Sequence, residues 1–159
     1  MKNKEIEITY VVTNAKALEK TLLGNGAILQ YERILDRDIY ENNRDFFIRY
    51  STEVQDNITK KFFTMKSDGD MNSVNKVKEK IEIEFPINDE QEEGLKAVFE
   101  ALKFEKTNSY RKERKAYTLF DCDLSIDTME NKTYFEIEFE NENDMKKIVK
   151  LVDRYLEEK

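Results

Sequence analysis

One four-residue form occurs three times in this chain, as Glu5-Ile6-Glu7-Ile8, Glu82-Ile83-Glu84-Phe85 and Glu136-Ile137-Glu138-Phe139. In an extended strand, residues two apart share a face, so each copy sets two carboxylates on one side and two apolar groups on the other. Each copy also leads into a segment of helical periodicity, so a strand-then-helix unit recurs along the chain. For any single copy, the ordinary reading is a half-solvated antiparallel strand with its acids in water. If the three strands are neighbours, like charges face each other and cost stability unless cations or a bound metal neutralise them.

Candidate cations occur at matching parity. Lys112 and Arg114 share one face of a strand, Thr64 and Lys66 share one face of another, and Arg49 follows the apolar run Phe46-Phe47-Ile48. In Leu124-Ser125-Ile126-Asp127 the apolar residues point one way and Asp127 the other, which makes Asp127 a further candidate metal ligand.

Three amphipathic segments read as helices. The first runs from about Asn14 to Leu23, with Asn14 as N-cap, Gly24 and Gly26 as stop signals, and Ala15, Leu18 and Leu22 as its buried stripe. The second begins after Pro86, near Asp89, and places Leu95, Val98, Phe99 and Leu102 on one face. The third starts around Asn143 and carries Met145, Ile148, Val149, Val152 and Leu156 at helical spacing.

Between the helices the period is two, over Glu5–Val12, Gln30–Tyr40, Phe46–Ser51, Lys61–Lys66, Lys80–Phe85, Ser109–Thr118, Leu119–Thr128 and Thr133–Glu140. These strands are mostly joined by short polar connections such as Glu41-Asn42-Asn43 and Glu130-Asn131-Lys132, which favours an α+β protein with an antiparallel sheet or barrel. Ser67–Ser73 reads as a polar loop, because regular patterning resumes on both sides. At 159 residues, a single domain spanning 1–159 is expected.

Composition narrows the chemistry. Charged residues make up 38% of the chain, against roughly 25% in an average globular protein. The net charge of -7 argues against a broad basic surface for nucleic acid or anionic membrane. There is no histidine, which removes Ser-His-Asp and Cys-His nucleophilic schemes and imidazole metal sites together, so any metal must be held by oxygen. Cys122 is the only cysteine, which excludes an internal disulfide, and Asp121 and Asp123 beside it raise rather than lower a thiol pKa. Met1-Lys2-Asn3-Lys4 runs directly into Glu5 without the apolar core of a signal peptide, and no later run approaches membrane-spanning length. A cytoplasmic protein is the expectation.

In their order these residues resemble the CYTH proteins, or triphosphate tunnel metalloenzymes, which include class IV adenylate cyclases, thiamine triphosphatases and inorganic triphosphatases. The family's first-strand motif is Glu-x-Glu-x-Lys; Glu5, Glu7 and Thr9 occupy it, with threonine at the lysine position. Asp38-Ile39-Tyr40 is similar to the family's Asp-x-Tyr, Arg49 to its strand arginine, and Thr64-Met65-Lys66 to its Thr-x-Lys. Lys80, Glu82 and Glu84 resemble its Arg-x-Glu-x-Glu, Lys112-Glu113-Arg114 its Lys-x-Arg, Asp127 its isolated aspartate, and Glu136 and Glu138 its last acidic pair.

The resemblance implies a closed antiparallel barrel of about eight strands, with helices packed outside. It implies that Glu5, Glu7, Asp127, Glu136 and Glu138 hold Mg²⁺ or Mn²⁺, with Glu82 and Glu84 as further interior acids. Arg49, Lys66, Lys80, Lys112 and Arg114 would bind the phosphates, and Glu5, Glu7 and Lys66 would act in catalysis. The substrate class is a triphosphate such as tripolyphosphate, ATP or thiamine triphosphate, hydrolysed by a monomer or homodimer. Cyclisation of ATP to cyclic AMP and binding without turnover are the alternatives. Under this reading Ile6, Ile8, Ile83, Phe85, Ile137 and Phe139 face outward beneath the helices.

Overall fold

The alternation of carboxylate and aliphatic side chains resolves into the two faces of one curved sheet. The computed structural model describes residues 2–67 and 76–157; beyond Ser67, the polar segment expected over Ser67–Ser73 lies outside the described residues. Among those described, the order is β1 (Lys2–Val11), α1 (Ala15–Gly24), β2 (Ile28–Glu41), β3 (Phe46–Gln55), β4 (Ile58–Ser67), β5 (Lys78–Ile87), α2 (Asp89–Ala101), β6 (Glu105–Leu119), β7 (Cys122–Met129), β8 (Lys132–Glu138) and α3 (Glu142–Val152). The strands form a closed barrel in the order β1-β5-β4-β3-β2-β6-β7-β8, and the class is α+β. Each strand carrying the repeated acidic form, β1, β5 and β8, is followed by a helix, as expected from the sequence.

Local chemistry accounts for the element ends. Asn14 caps α1 by accepting a hydrogen bond from the Ala17 amide at 3.1 Å. Asn88 and Gln91 form a reciprocal capping box at the start of α2, where Asp89, Glu90 and Glu92 also suit the helix dipole. Asp56-Asn57 and Phe120-Asp121 take positive φ at both positions, as two-residue hairpin turns matched to strand twist require.

The residues group into two compact units. One holds β1 from Glu5, α1, β7, β8, α3, β2 up to Glu32 and β6 from Lys112. The other holds β3, β4, α2, β5 from Lys80, β2 from Arg33 and β6 up to Arg111.

In the first unit the apolar row Ile8, Ile137, Leu124 and Tyr117 lies directly across β1, β8, β7 and β6. This row joins Leu18 and Leu22 of α1 and Met145, Ile148 and Val152 of α3 in one core. In the second unit Ile48, Tyr50, Phe63, Ile87 and Phe104 form a separate core, with Leu95 and Phe99 of α2 packed against it. Phe99 stacks on Phe63 with ring centroids 5.4 Å apart. The helices therefore cover the outer, apolar face of the strands, and the inner face carries most of the alternating polar residues together with the apolar Leu35, Ile39 and Phe47.

The coverage is uneven. Val98 and Leu102, expected on the buried stripe of α2, are each 54% exposed, because only Leu95 and Phe99 reach the strands. Phe85 is likewise 37% exposed. Burying a Leu side chain stabilises by about 1.5–3 kcal/mol, and α1 concentrates that gain at Leu18 and Leu22, which are fully enclosed. Leu22→Ala is expected to destabilise the protein by about 2–5 kcal/mol, whereas Val98→Ala should cost less than about 0.5 kcal/mol, as read by urea unfolding. Equal losses would contradict this assignment of the core.

Candidate functional site

The inner face of the first unit is acidic at one level and ion-paired at another. Strand pairing sets Glu7 opposite Glu138, and Glu138 opposite Asp123, so three adjacent strands present carboxylates in one row. Glu136, flanked by Thr9 and Ser125, forms the next row. Glu7 is only 5% exposed. Burial raises the pKa of Glu138, and the negative charges of Glu5, Asp123, Glu136 and Glu7 raise it further, to about 7.

Asp127 lies one row beyond Glu136, opposite Tyr134. It accepts from Lys112 Nζ at 2.7 Å and from Arg114 Nε and Nη2 at 2.7 Å each, so both oxygens meet cations. Burial opposes ionisation here, but Arg114 and Lys112 outweigh it and hold the Asp127 carboxyl well below the usual carboxylate range. Arg114 also approaches Glu136 at 3.7 Å. The cation that faces Glu136 thus comes from β6, across the sheet from Thr9.

The inner face of the second unit is built around buried cations. Arg49 lies opposite Thr64, and Thr64 opposite Glu84; Lys66 lies opposite Glu82. The Thr64 hydroxyl donates to Glu84 at 2.8 Å, Arg49 approaches Glu84 at 3.5 Å, and Lys66 approaches Glu82 at 3.3 Å. Lys80, on the same face as Glu82 and Glu84, is buried along with Arg49 and Lys66. A buried charge is costly without compensation, and these acids compensate the cations over contacts longer than a tight ion pair.

The structure thus brings Glu5, Glu7, Glu136 and Glu138 together in one unit and places Asp127 beside them with Lys112 and Arg114. In the other unit it brings together Arg49, Lys66, Lys80, Glu82 and Glu84. Asp123 and Arg37 are inner-face residues that escaped the sequence reading. Asp123 belongs to the carboxylate row, and its parity with Ser125 and Asp127 was the available signal. Arg37 is buried on the face of Arg49; its parity with the apolar Leu35 and Ile39 was the available signal. Asp38 and Tyr40, by contrast, pair with Tyr50 and Ile48 on the outer face.

A cavity of about 310 Å³ in the second unit is lined by Asp36, Asp38, Tyr50, Glu92 and Arg111 and also by Arg37 and Ser51 of the inner face. Its charges are largely spoken for. Arg111 clasps Asp36 in a bidentate pair at 2.7 and 2.9 Å, Asp38 accepts from Ser109, and Glu92 takes both Lys61 and Lys96. Cys122 is buried, and burial together with Asp144, Asp123 and Asp121 pushes its thiol up to about 11, which removes it as a nucleophile.

The acidic face suits a hard divalent cation in donor chemistry, since carboxylate oxygens on neighbouring strands can reach one ion. Among the described residues no three acids converge as a ready-made cage, so any such ion would draw these side chains together.

No family model matches this sequence, and no curated protein matches it. Solved structures do. A conserved hypothetical protein from Pyrococcus furiosus superposes with a TM-score of 0.74 at 21% identity, covering 96% of this chain and 94% of the other. A candidate adenylyl cyclase from Hippeastrum, described as having a dominant triphosphatase activity, gives 0.69 at 14% identity over 95% and 87% of the two chains. A candidate adenylate cyclase from Bacillus halodurans gives 0.65 at 13% identity over 99% and 94%. These likenesses show that the fold is of the CYTH type.

The raised pKa of Glu138 has a measurable consequence for the metal-free protein. Its ordinary value is 4.5 and its folded value about 7, so between these the native state binds more protons than the unfolded state, and stability falls as pH rises. Glu138→Gln should be insensitive to this titration. In EDTA, the thermal midpoint of Glu138→Gln relative to the unmodified protein is expected to rise as pH is raised from 4.5 through about 7. A constant difference across that window would contradict the crowding of carboxylates around Glu138.

Proposed function

We propose that the protein binds a triphosphate together with Mg²⁺ or Mn²⁺ and hydrolyses it. The observation that carries this reading is the burial of charge on the inner faces. Glu7, Asp127 and Lys112 in one unit, and Arg49, Lys66 and Lys80 in the other, are each more than nine-tenths enclosed. Sheets ordinarily enclose apolar groups, and enclosed charge on this scale is stabilised when a ligand of complementary charge completes it. A triphosphate with a divalent cation has both signs to offer. The Hippeastrum neighbour, with its triphosphatase activity, supports the same substrate class.

In this reading Glu5, Glu7, Glu136 and Glu138 hold the metal, which when bound neutralises phosphate charge and lowers the pKa of a coordinated water. Asp127 takes part by orienting Lys112 and Arg114, whose charges it already anchors. Arg49, Lys66 and Lys80 bind phosphate oxygens, and Lys66 stabilises charge developing on the leaving group. Glu82 and Glu84 keep Lys66 and Arg49 in place until substrate arrives. Glu5 and Glu7 orient the attacking water and accept its proton. Hydrolysis needs no covalent enzyme intermediate, which accords with the absence of histidine and the inert Cys122.

Thr9 favours a second reading, binding without turnover. It stands opposite Glu136, so a cation from β1 is missing at that point. Thr9→Lys would supply one, and it is expected to raise the rate of phosphate release or the affinity for tripolyphosphate. A fall in both would show that Arg114 has already taken over that role.

Phosphorus NMR with Mg²⁺ and tripolyphosphate, ATP or thiamine triphosphate separates the outcomes. Orthophosphate release is expected; pyrophosphate from ATP would mean cyclisation, and perturbed signals without products would mean a binding module. Glu7→Gln and Glu138→Gln are each expected to abolish the rise in thermal midpoint given by Mn²⁺. Retention of that rise in both would overturn the metal assignment.

A further inference from the structure

Arg37 is a buried inner-face cation that neither the sequence motifs nor the proposed hydrolysis uses. Strand pairing places it directly opposite Ser51, while Arg49 lies opposite Ile39. Arg37 and Arg49 are therefore diagonal neighbours on one face, within reach of long side chains. Arg37 is 9% exposed, Arg49 7% and Ser51 4%. The Nε atoms of both arginines and the Ser51 hydroxyl are buried without a hydrogen-bond partner among the described residues. Arg37 also has no ion pair there, and Arg49 meets Glu84 and Thr64 only at 3.5 Å.

Two guanidinium groups and a hydroxyl are thus enclosed side by side with donors unspent. Burial lowers the pKa of Arg49, and the positive charge of Arg37 lowers it further, so the two cations repel each other across this face. Buried donors of native proteins are almost always satisfied. Neighbouring carboxylates answer Lys66 and Arg114, yet among the described residues none answers Arg37. A ligand that supplies the compensating charge must accept from several directions at once. A tetrahedral phosphoryl group fits this better than a planar carboxylate, because its oxygens can take two guanidinium forks and a hydroxyl together.

We propose that Arg37, Arg49 and Ser51 form a cradle for one phosphoryl group, with Arg37 as the residue that makes the cradle anion-dependent. The identity of the anion as part of a triphosphate rests on the function proposed above; the need for an anion does not. Arg37 acts through its charge and its fork, so lysine replaces it only in part.

The test is calorimetric titration of tripolyphosphate into the metal-free protein in EDTA, with thermal midpoints measured in parallel. Arg37→Met is expected to raise the midpoint without anion, because it removes an unanswered buried charge. It is also expected to weaken tripolyphosphate binding about tenfold or more, with Arg37→Lys in between. Unchanged affinity in Arg37→Met would overturn the proposal. If Arg37→Met does not fold, Arg37→Lys and Ser51→Ala carry the test: weaker binding by either supports the cradle, and unchanged binding by both overturns it. Arg37-dependent binding in a protein that releases no phosphate with any metal would uphold the cradle and remove hydrolysis. Full phosphate release with unaltered binding by Arg37→Met would do the reverse.

Discussion

Glu7, Glu138 and Asp123 stand side by side on three adjacent strands, and much else in the molecule follows from the repulsion among them. Like charges directly opposite one another destabilise a sheet, and burial together with these neighbouring charges makes Glu138 harder to ionise, as its raised pKa records. The strands cannot relieve this by slipping, because a shift of one residue would turn Ile8, Ile137 and Leu124 away from α1 and α3. Register is therefore pinned from outside by apolar packing, and the inner face must accept its charge. Asp127 shows how the chain solves the problem where it has a cation to spend: Lys112 and Arg114 surround it at 2.7 Å. Among the described residues, the charges that act on Glu138 are those of other acids.

The second unit has the complementary imbalance. Arg49 and Lys66 have carboxylates within 3.5 Å, while Arg37 has none among the described residues. An excess of enclosed acid in one unit and of enclosed base in the other is an unusual condition for strands that could have buried aliphatic groups. Each unit keeps its own apolar core on the helix side, apart from most of the inner-face charges. That separation leaves the inner residues open to serve a ligand.

Much of this was legible in the sequence, because strand alternation is a strong local code. Glu136-Ile137-Glu138-Phe139 announces both an inner acidic pair and an outer apolar pair, and Ile137 and Phe139 are indeed buried beneath helices. Asn14, the periodicity of Leu95 and Phe99 after Pro86, and that of Met145, Ile148 and Val152 marked helices for the same local reasons. Pairing was not legible. Nothing in β1 says that it lies between β5 and β8, since that choice depends on contacts distant in sequence. Residues whose role depends on such neighbours were accordingly missed. Arg37 sits between two aspartates that face the other way, and its isolation is visible only once Ser51 and Arg49 are beside it. The exposure of Val98 and Leu102 has a similar origin: periodicity defines a stripe, but the curvature of the underlying strands decides how much of it is covered.

The most direct test of whether the inner-face charges exist to hold a ligand is a crystal structure of the protein grown with Mn²⁺ and tripolyphosphate, using anomalous scattering to locate the metal. The account predicts Mn²⁺ bound by carboxylate oxygens of Glu7 and Glu138, with phosphate oxygens on Arg49 and Lys66. Manganese confined to exposed surface carboxylates, with Glu7 and Glu138 unchanged and no phosphate beside Arg49 and Lys66, would contradict it.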